Sequence, residues 1–448
     1  MNTTNPHFAA LTELLTNHWA PGFRAKRTRL EEDGTLPAAD ASLEEWLQLW
    51  KKIPPQDKAL AEDALRLSML VGVALWSKGN GPVGGKLREL VKQAGWAAPN
   101  VASQCDLACR VRATYDALDH MKGNSDAMRR VREETWRAAF GRNLIQAAAA
   151  QELLRNTPVL ICGETGTGKE LVARALAYSV PGRWDPVNGS WEKPGFVATH
   201  LAALPETLVH DELFGHKKGA YSDAKQDRPG VFERSKHGVV FLDEVGELPE
   251  TTQVALLRVL QEKKVSRLGS EEPIDVSPRV ISATNREIDQ QVRKRHFRED
   301  LMHRLSSVVV ELPPLRDRPD DILELVQYEV DQLGGMKSGL SPKDISDELE
   351  RISKGHDWGG NVRELNAAVR SIALGIKPRL RSCAAPVTRS VPVEIEKKEW
   401  TLQKLQRWYA TSVRDQAGSD VEAARRLGVH RQTLKRYLEP AEGEETYD

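Results

Sequence analysis

The amino-acid sequence predicts a multidomain α/β protein. An α/β domain with a phosphate-binding loop lies between a mostly helical N-terminal region and short C-terminal helices. Three observations lead to this prediction. A strand, a glycine-rich loop and a helix follow one another at residues 157–177. Two later apolar strands end in polar residues, at Asp243 and Asn285. Residues 420–438 show two short amphipathic helices separated by a tight turn.

The N-terminal region, residues 1–122, is predicted to be helical because its leucines recur at three- and four-residue spacing. Its tryptophans are expected to form part of a core rather than a ligand site. No alternation of strands and helices with an aspartate at a strand end is present, so this region does not match a phosphoacceptor domain. We therefore predict a regulatory domain of unassigned type.

Composition narrows the class of protein. A chain of 448 residues suggests about two to four domains. Lysine plus arginine equals aspartate plus glutamate, so net charge indicates no partner. No apolar run reaches membrane-span length and no signal peptide is seen, so we expect a cytoplasmic protein without membrane contact. Cys105 and Cys109 lie one helical turn apart without a neighbouring histidine, which favours reduced thiols over a zinc site.

The glycine-rich loop is the strongest functional signal. It follows the apolar strand Val159 to Cys162 and precedes an apolar helical pattern, the context that a phosphate-binding loop requires. Its backbone N–H groups and its lysine can bind the phosphates of a nucleoside triphosphate, so we predict an ATP site. The alternative is a glycine turn in an α/β core. The predicted nucleotide-binding residues are Gly163, Glu164, Thr165, Gly166, Thr167, Gly168, Lys169 and Glu170.

A second apolar strand ends in two acids, Asp243 and Glu244. Glu170 stands where Ser or Thr usually ligates Mg²⁺ after the lysine, so the metal needs another carboxylate. We predict that Asp243 binds Mg²⁺ through water and that Glu244 activates the attacking water. Without the upstream loop, an acid pair at a strand end is equally typical of an ordinary turn.

Other polar residues are candidates for the same site. Asn285, at the end of the next strand, can sense the terminal phosphate. Arg298 and Arg304 can reach a neighbouring subunit's nucleotide, or they are solvated charges on a helix. Arg363 falls in the first turn of a helix, where a cation opposes the helix dipole and suggests an external anion.

The C-terminal part is predicted to bind DNA. Residues 378–399 contain three prolines and are expected to form a linker to a domain at 400–448, which ends in an acidic tail. Within that domain, a helix, a turn at Gly428 and a second helix match a helix-turn-helix. A basic helical hairpin with another role is the alternative. The predicted DNA-contacting residues are His430, Arg431, Gln432, Lys435 and Arg436.

Seven motifs in order resemble those of the bacterial enhancer-binding proteins, the AAA+ activators of the alternative sigma factor sigma-54. The resemblance covers residues 123–375, and the C-terminal helices are similar to the Fis-type domain of such activators. It implies an AAA+ α/β domain at 123–312 and a helical lid at 313–377. The motifs lie at residues 163–170, 212–216, 241–248, 283–286, 297–305, 314–318 and 360–365.

This resemblance also implies the partners and the roles of the site residues. ATP would lie between the subunits of a ring, usually a hexamer, with Arg298 and Arg304 acting in trans and Arg363 as the second sensor. The family has Glu at the position of Glu170, which accounts for the absent Ser or Thr. Hydrolysis would drive a loop that remodels RNA polymerase with sigma-54, while the C-terminal domain binds an upstream DNA site.

Two departures from the family pattern leave alternatives open. The remodelling loop, Gly-Ala-Phe-Thr-Gly-Ala in the family, here contains Tyr221, Ser222 and Asp223. This change favours an AAA+ DNA-binding regulator that does not engage sigma-54. The family's asparagine that restrains the catalytic glutamate is replaced by His200, which we expect to hydrogen-bond Glu244. That change favours a nucleotide-gated scaffold with little turnover.

Overall fold

The structure, a computed structural model, describes residues 6–77, 82–97, 99–221, 224–285, 288–333, 342–352, 356–380, 402–417 and 420–438. By their internal contacts the residues form two units, 1–382 and 383–448. Ser222, Asp223, nearly all of the predicted linker and the acidic tail lie outside the described residues. In the described ranges, none of the helices has both the length and the apolar character needed to cross a membrane.

In the part of the chain that the structure describes, helices α1 to α6 form the N-terminal part of the first unit. Their buried apolar side chains belong to one cluster that includes the fully buried Trp46, and Gly72 leaves the space that its indole ring occupies. The same core continues across one face of the central sheet, as far as Val310. The helices are α1 (Pro6–Glu13), α2 (Phe23–Glu32), α3 (Leu43–Lys52), α4 (Pro55–Trp76), α5 (Val83–Ala94) and α6 (Val101–Asp119).

A five-stranded parallel sheet is the centre of the first unit. Helices α7 (Asp126–Phe140), α8 (Leu144–Ala149) and α9 (Gln151–Asn156) precede it in the chain. The strand order is β11-β1-β10-β7-β4, so β1 lies between two strands from later in the chain. The strands are β1 (Val159–Cys162), β4 (Phe196–His200), β7 (Val239–Asp243), β10 (Arg279–Thr284) and β11 (Val308–Glu311).

The inner strands β1, β7 and β10 are almost entirely buried because helices cover both faces of the sheet. All six residues of β10 are buried, as are the first four of β7. Parallel pairing brings the carboxyl ends of β1, β7 and β10 to one edge, where the chain turns into polar loops. The helices that follow are α10 (Lys169–Ala177), α11 (Glu206–Phe214), α12 (Val231–Arg234), α13 (Glu250–Glu262), α14 (Ile288–Arg293) and α15 (Glu299–Leu305).

Among the described residues, three two-stranded antiparallel hairpins lie outside the central sheet. The first joins α10 to β4 and packs against the N-terminal helices α5 and α6. The other two lie next to each other, linked by a bridge between His216 and Leu268. The hairpins are β2 (Arg183–Asp185) with β3 (Ser190–Glu192), β5 (Gly215–His216) with β6 (Arg228–Pro229), and β8 (Lys264–Ser266) with β9 (Pro273–Asp275).

A helical lid follows the sheet in the chain. It consists of α16 (Ile322–Gln332), α17 (Pro342–Ile352) and α18 (Asn361–Ala373), packed around a separate apolar cluster that includes Leu365. The second unit contains α19 (Leu402–Ala417), α20 (Asp420–Leu427) and α21 (Arg431–Leu438). Its small core includes the fully buried Leu434.

Candidate nucleotide site at the edge of the sheet

The phosphate loop, residues 163–169, curls around the amino group of its own lysine. Lys169 is 7% exposed, and its Nζ donates to the carbonyl oxygens of Gly163 at 2.9 Å and Glu164 at 3.4 Å. Gly166 has φ +84°, and a side chain there would lie 2.3 Å from the Gly360 carbonyl oxygen of the lid. Only glycine fits this position, because both the backbone conformation and the close approach exclude a Cβ atom.

Glu244 and Asn285 meet directly beside this loop. The Glu244 carboxylate lies 3.4 Å from Lys169 Nζ and accepts the backbone N–H of Asn285 at 3.0 Å. The Asn285 side chain in turn donates to Thr165 Oγ1 at 3.1 Å. Glu244 is 7% exposed and has φ +61°, a left-handed backbone conformation that residues other than glycine adopt rarely. Strained backbone of this kind is frequent at functional sites.

Asp243 has a carboxylate oxygen that could bind a metal ion. Its Oδ1 is buried without a hydrogen-bond donor among the described residues. No group of three or more metal-binding side chains was found in the described part of the chain. This donor set fits Mg²⁺, which keeps most of its waters and binds one or two carboxylates together with substrate phosphates. Asp243 is therefore the residue that would hold the metal.

The expectation that His200 hydrogen-bonds Glu244 is wrong. Strands β4 and β7 pair His200 with Asp243, so the imidazole Nδ1 lies 3.0 Å from Asp243 Oδ2. The Glu244 side chain turns instead toward Lys169 and Asn285. His200 therefore contacts the predicted metal ligand rather than the predicted catalytic base.

The lid contacts the phosphate loop through Arg316 and Asn361, whose roles the sequence did not reveal. Arg316 donates two hydrogen bonds to the Glu164 carboxylate, at 2.6 and 3.0 Å, and lowers the pKa of that group. The fully buried Asn361 donates to Glu164 and to the Thr165 carbonyl, both at 3.1 Å. Both residues fall in motifs visible in the sequence, but only the fold brings these motifs to the loop.

Arg363 also lies beside the loop. Its Cβ is 3.2 Å from the position that a Gly166 side chain would occupy, and its side chain is exposed. Glu170 differs. Its carboxylate pairs with Arg174, one turn later on the exposed side of α10, at 2.6 Å. The structure therefore does not bring the Glu170 carboxylate to the loop.

The two arginines predicted to act between subunits have no contact with the phosphate loop among the described residues. Arg298 lies at the start of α15, and its guanidinium pairs with Asp300 at 2.7 Å. The side chain of Arg304 donates to the Leu260 carbonyl oxygen at 3.2 Å. The Arg304 side chain is exposed and that of Arg298 is 40% exposed, so both are available to a second copy of the chain.

Of the three residues in which the predicted remodelling loop departs from the family pattern, the structure describes Tyr221. The Gly219 N–H donates to the Ala224 carbonyl at 2.8 Å and closes the base of this loop. The Tyr221 ring packs edge-on against His216, with ring centres 5.1 Å apart. His216 is itself held by the buried carboxylate of Asp211. Ser222 and Asp223 lie outside the described residues.

In the second unit, the predicted DNA-contacting residues lie together. His430 precedes α21, and the four others lie along this helix; all five side chains are exposed. Leu434 faces the opposite way, into the small core. The helix therefore has one apolar and one basic face. The basic face is formed by His430, Arg431, Gln432, Lys435 and Arg436.

The sheet, the phosphate loop and the lid define an α/β domain of the AAA+ class. Residues 137–311 match the family described as the Sigma-54 interaction domain, and residues 316–379 match the AAA+ ATPase lid domain. The chain is 35% identical to the regulatory protein AtoC of Escherichia coli (strain K12), over 71% of this chain and 71% of that protein. The chain therefore belongs to the family of regulatory proteins with a sigma-54 interaction domain.

Other known proteins are similar over different lengths. The Nif-specific regulatory protein of Azotobacter vinelandii is 38% identical over 60% of this chain and 47% of its own length. The chain thus spans about half the length of that relative. A crystal structure of NtrX from Brucella abortus in complex with ATP matches 83% of this chain and 85% of its own, with 23% identity and a TM-score of 0.47.

Proposed function

We propose that this protein hydrolyses ATP in an AAA+ ring and uses the energy to act on RNA polymerase containing sigma-54, from a DNA site bound by its C-terminal helices. One observation carries the proposal. Lys169, Glu244 and Asn285 converge within hydrogen-bond or ion-pair distance, beside a carboxylate oxygen of Asp243 that has no donor among the described residues. This set supplies an anion-binding cation, a base, a phosphate sensor and a metal ligand.

The residues act in a definite order. The phosphates of ATP replace the two carbonyl oxygens as partners of Lys169 Nζ. The amine then shifts toward the β- and γ-phosphates, and Glu244 loses part of its ion pair. Its carboxylate is then free to accept a proton from the attacking water. The Asn285 amide donates toward the terminal phosphate, while its N–H keeps Glu244 oriented. When Mg²⁺ is bound, it neutralises phosphate charge, and Asp243 would hold it.

The site requires a second subunit for full activity. Charge that develops on the transferred phosphate needs an arginine, and guanidinium groups serve best because they remain charged. Arg298 and Arg304 are the candidates, acting on the neighbour's nucleotide. The exposed pair of Arg298 with Asp300 is a weak restraint, because exposed ion pairs contribute little. Arg363 from the lid completes the site within one subunit.

DNA binding is assigned to the second unit. The exposed basic face of α21 matches the arrangement in which the second helix of a helix-turn-helix enters the major groove. His430, Arg431 and Gln432 would contact base edges, and Lys435 and Arg436 would contact phosphates. Binding of this kind weakens as salt rises, because bound counterions are released from the DNA.

Two assays on one set of variants test this function. ATP hydrolysis is measured alone, and open-complex formation is measured with sigma-54 holoenzyme at a mapped upstream site. Glu244→Gln should keep ATP binding but lose both activities, whereas Glu262→Gln, an exposed control, should keep both. Hydrolysis without any open-complex formation would contradict the proposal. ATP binding without hydrolysis would favour the alternative of a nucleotide-gated scaffold, which the replacement of the family's asparagine by His200 suggests.

A second candidate function is a DNA-binding AAA+ regulator that does not engage sigma-54. It is supported by Asp223, which brings negative charge to a loop where the family has glycine, and by Tyr221, whose ring packs on His216. The double variant Ser222→Thr with Asp223→Gly decides between the two. If only this variant binds sigma-54 in a pull-down, the second candidate is correct. If the parent already binds, it is excluded.

A further inference from the structure

A groove lies where the hairpin β2–β3 covers the N-terminal helices α5 and α6. Its volume is about 590 Å³, within the range of small-molecule sites. One wall is the end of α5 and the start of α6, and the other is the hairpin. Sites between two structural regions are a common location for ligands. Its lining residues include Arg88, Val91, Lys92, Trp96, Val101 and Trp184.

The walls of the groove are apolar and held firmly. Trp184 is 7% exposed, and its indole N–H donates to the Gly84 carbonyl oxygen at 3.4 Å. Trp96 packs edge-on against Trp50, with ring centres 5.0 Å apart. Val101 is buried at the base of the wall. These contacts fix both indole rings in the unbound protein, so neither ring must be ordered when a ligand binds.

The rim of the groove is positively charged. Arg88 and Lys92 lie one turn apart on α5, so their side chains share one face of the helix. Both side chains are exposed, and neither side chain has a hydrogen bond or an ion pair with any described residue. Of the described residues that line the groove, none is acidic. The groove therefore combines an apolar interior with two unneutralised cations, and the complementary ligand carries one negative charge on an apolar body.

We propose that this groove binds a small organic carboxylate with an aromatic or branched aliphatic body. The apolar part would lie between Trp96 and Trp184, and the carboxylate would accept hydrogen bonds from Arg88 and Lys92. An inorganic phosphate or sulfate would leave the apolar walls exposed to water, and an uncharged apolar compound would leave both cations without a partner. This assignment goes beyond the proposed function, because it does not depend on hydrolysis or on DNA.

The hairpin that covers the groove is anchored to the rest of the unit. The Asp106 carboxylate, on α6, accepts the Gly182 N–H at 3.0 Å and the Trp191 indole N–H at 2.8 Å. Asp106 also pairs with Arg110, which donates to the Ser179 carbonyl just beyond α10. A ligand in the groove would therefore contact a hairpin tied to the helix that begins at Lys169. We expect the ligand to slow hydrogen exchange in residues 183–192.

Naphthalene-1-carboxylate and naphthalene-1-carboxamide are suitable probes, because they differ mainly in charge. Isothermal titration of the full chain should show the carboxylate binding about tenfold or more tightly than the amide. The double variant Arg88→Ala with Lys92→Ala should bind the carboxylate only as tightly as the amide. Its affinity for the amide should equal that of the parent. The control, Lys51→Ala with Lys52→Ala on α3, removes the same charge elsewhere and should bind like the parent.

A second variant tests the apolar part of the site. Ala102 lines the groove and is exposed, so Ala102→Trp should fold normally and fill the space. It should abolish binding of both probes. The proposal is overturned if neither probe binds at millimolar concentration, if both bind equally to the parent, or if the rim and filling variants bind the carboxylate like the parent.

Discussion

Charged residues lie at both ends of helix α10, but those at its start face a predicted ligand site and those at its end bind other parts of the protein. At its first residue, Lys169 faces carbonyl oxygens and Glu244, and beside it an oxygen of Asp243 has no donor among the described residues. Just beyond its last turn, Ser179 is held between two buried arginines. One end keeps its polar groups available for a ligand, whereas the other uses them within the protein.

The arginines at the far end are fully enclosed. Arg110 donates to the Ser179 carbonyl oxygen at 2.7 Å and lies 3.0 Å from the Asp106 carboxylate. Arg279 donates to the Ser179 hydroxyl and to the Ala138 carbonyl at 2.6 Å. Burial lowers the pKa of Arg279 to about 10, so the guanidinium stays charged at neutral pH. The far end therefore joins α6, α7, α10 and β10 through buried hydrogen bonds.

The largest expected effect is at the ligand end. Lys169→Ala should lower ATP affinity by a factor of about a hundred or more, because two or more charge-assisted contacts to phosphate are lost. The free energy of unfolding should fall as well, because the variant leaves the Glu244 carboxylate, itself 7% exposed, without its cation. Titration with a fluorescent ATP analogue measures the affinity, with the exposed Lys193→Ala as the control. Equal affinities for Lys169→Ala and the parent would show that the loop has been misinterpreted.

The far end of the helix should lose stability without any loss of ATP affinity. Asp106→Ala leaves the Arg110 guanidinium without its carboxylate, and removing one partner of a buried pair costs about 3 kcal/mol of unfolding free energy. ATP affinity of the folded protein should stay the same. Urea denaturation measures the stability, with Asp119→Ala, an exposed acid on the same helix, as the control. A loss no larger than that of the control would mean that the buried pair does not hold this end together.

Arg279→Lys gives a smaller effect at the same end. The charge is kept, but a single ammonium group replaces the planar guanidinium and cannot reach both the Ser179 hydroxyl and the Ala138 carbonyl. One buried acceptor then loses its donor, at a cost of about 2 kcal/mol. The same denaturation experiment tests this, with Arg183→Lys on the exposed hairpin as the control. A lysine variant as stable as the parent would show that one donor is sufficient.

This contrast also explains what the sequence could predict. The ligand end is encoded locally: an apolar strand, glycines and a lysine within a few residues, and acids at the ends of neighbouring strands. The far end joins Arg110, Ser179 and Arg279, which are distant in the chain and carry no local pattern. The hairpin β2–β3 was also missed, although Asn188 and Gly189 between two tryptophans are a typical turn signal.

The partner of His200 shows a further reason for such errors. A motif places a residue near the end of a strand, but the pairing register decides which neighbour its side chain meets. Here β4 and β7 pair His200 with Asp243 and leave Glu244 beyond the last pair. Glu244 then turns toward the loop with a left-handed backbone conformation. The sequence pattern places Asp243 and Glu244 at the end of a strand, but it could not predict which residues their side chains contact.

The smallest effect concerns an ion pair at the ligand end that is exposed rather than buried. Arg316 and Glu164 have 44% and 38% of their side chains exposed, so Arg316→Ala should cost less than about 1 kcal/mol of unfolding free energy. Hydrogen bonds from Arg316 hold the pKa of Glu164 below its ordinary value of 4.5. A carboxyl with a lowered pKa contributes stability above that ordinary value and loses it as the pH falls through the folded-state pKa. The parent and the variant should therefore differ slightly at pH 7 and converge at low pH in urea denaturation. A difference that persists unchanged in acid would mean that Arg316 stabilises the lid through packing rather than through charge.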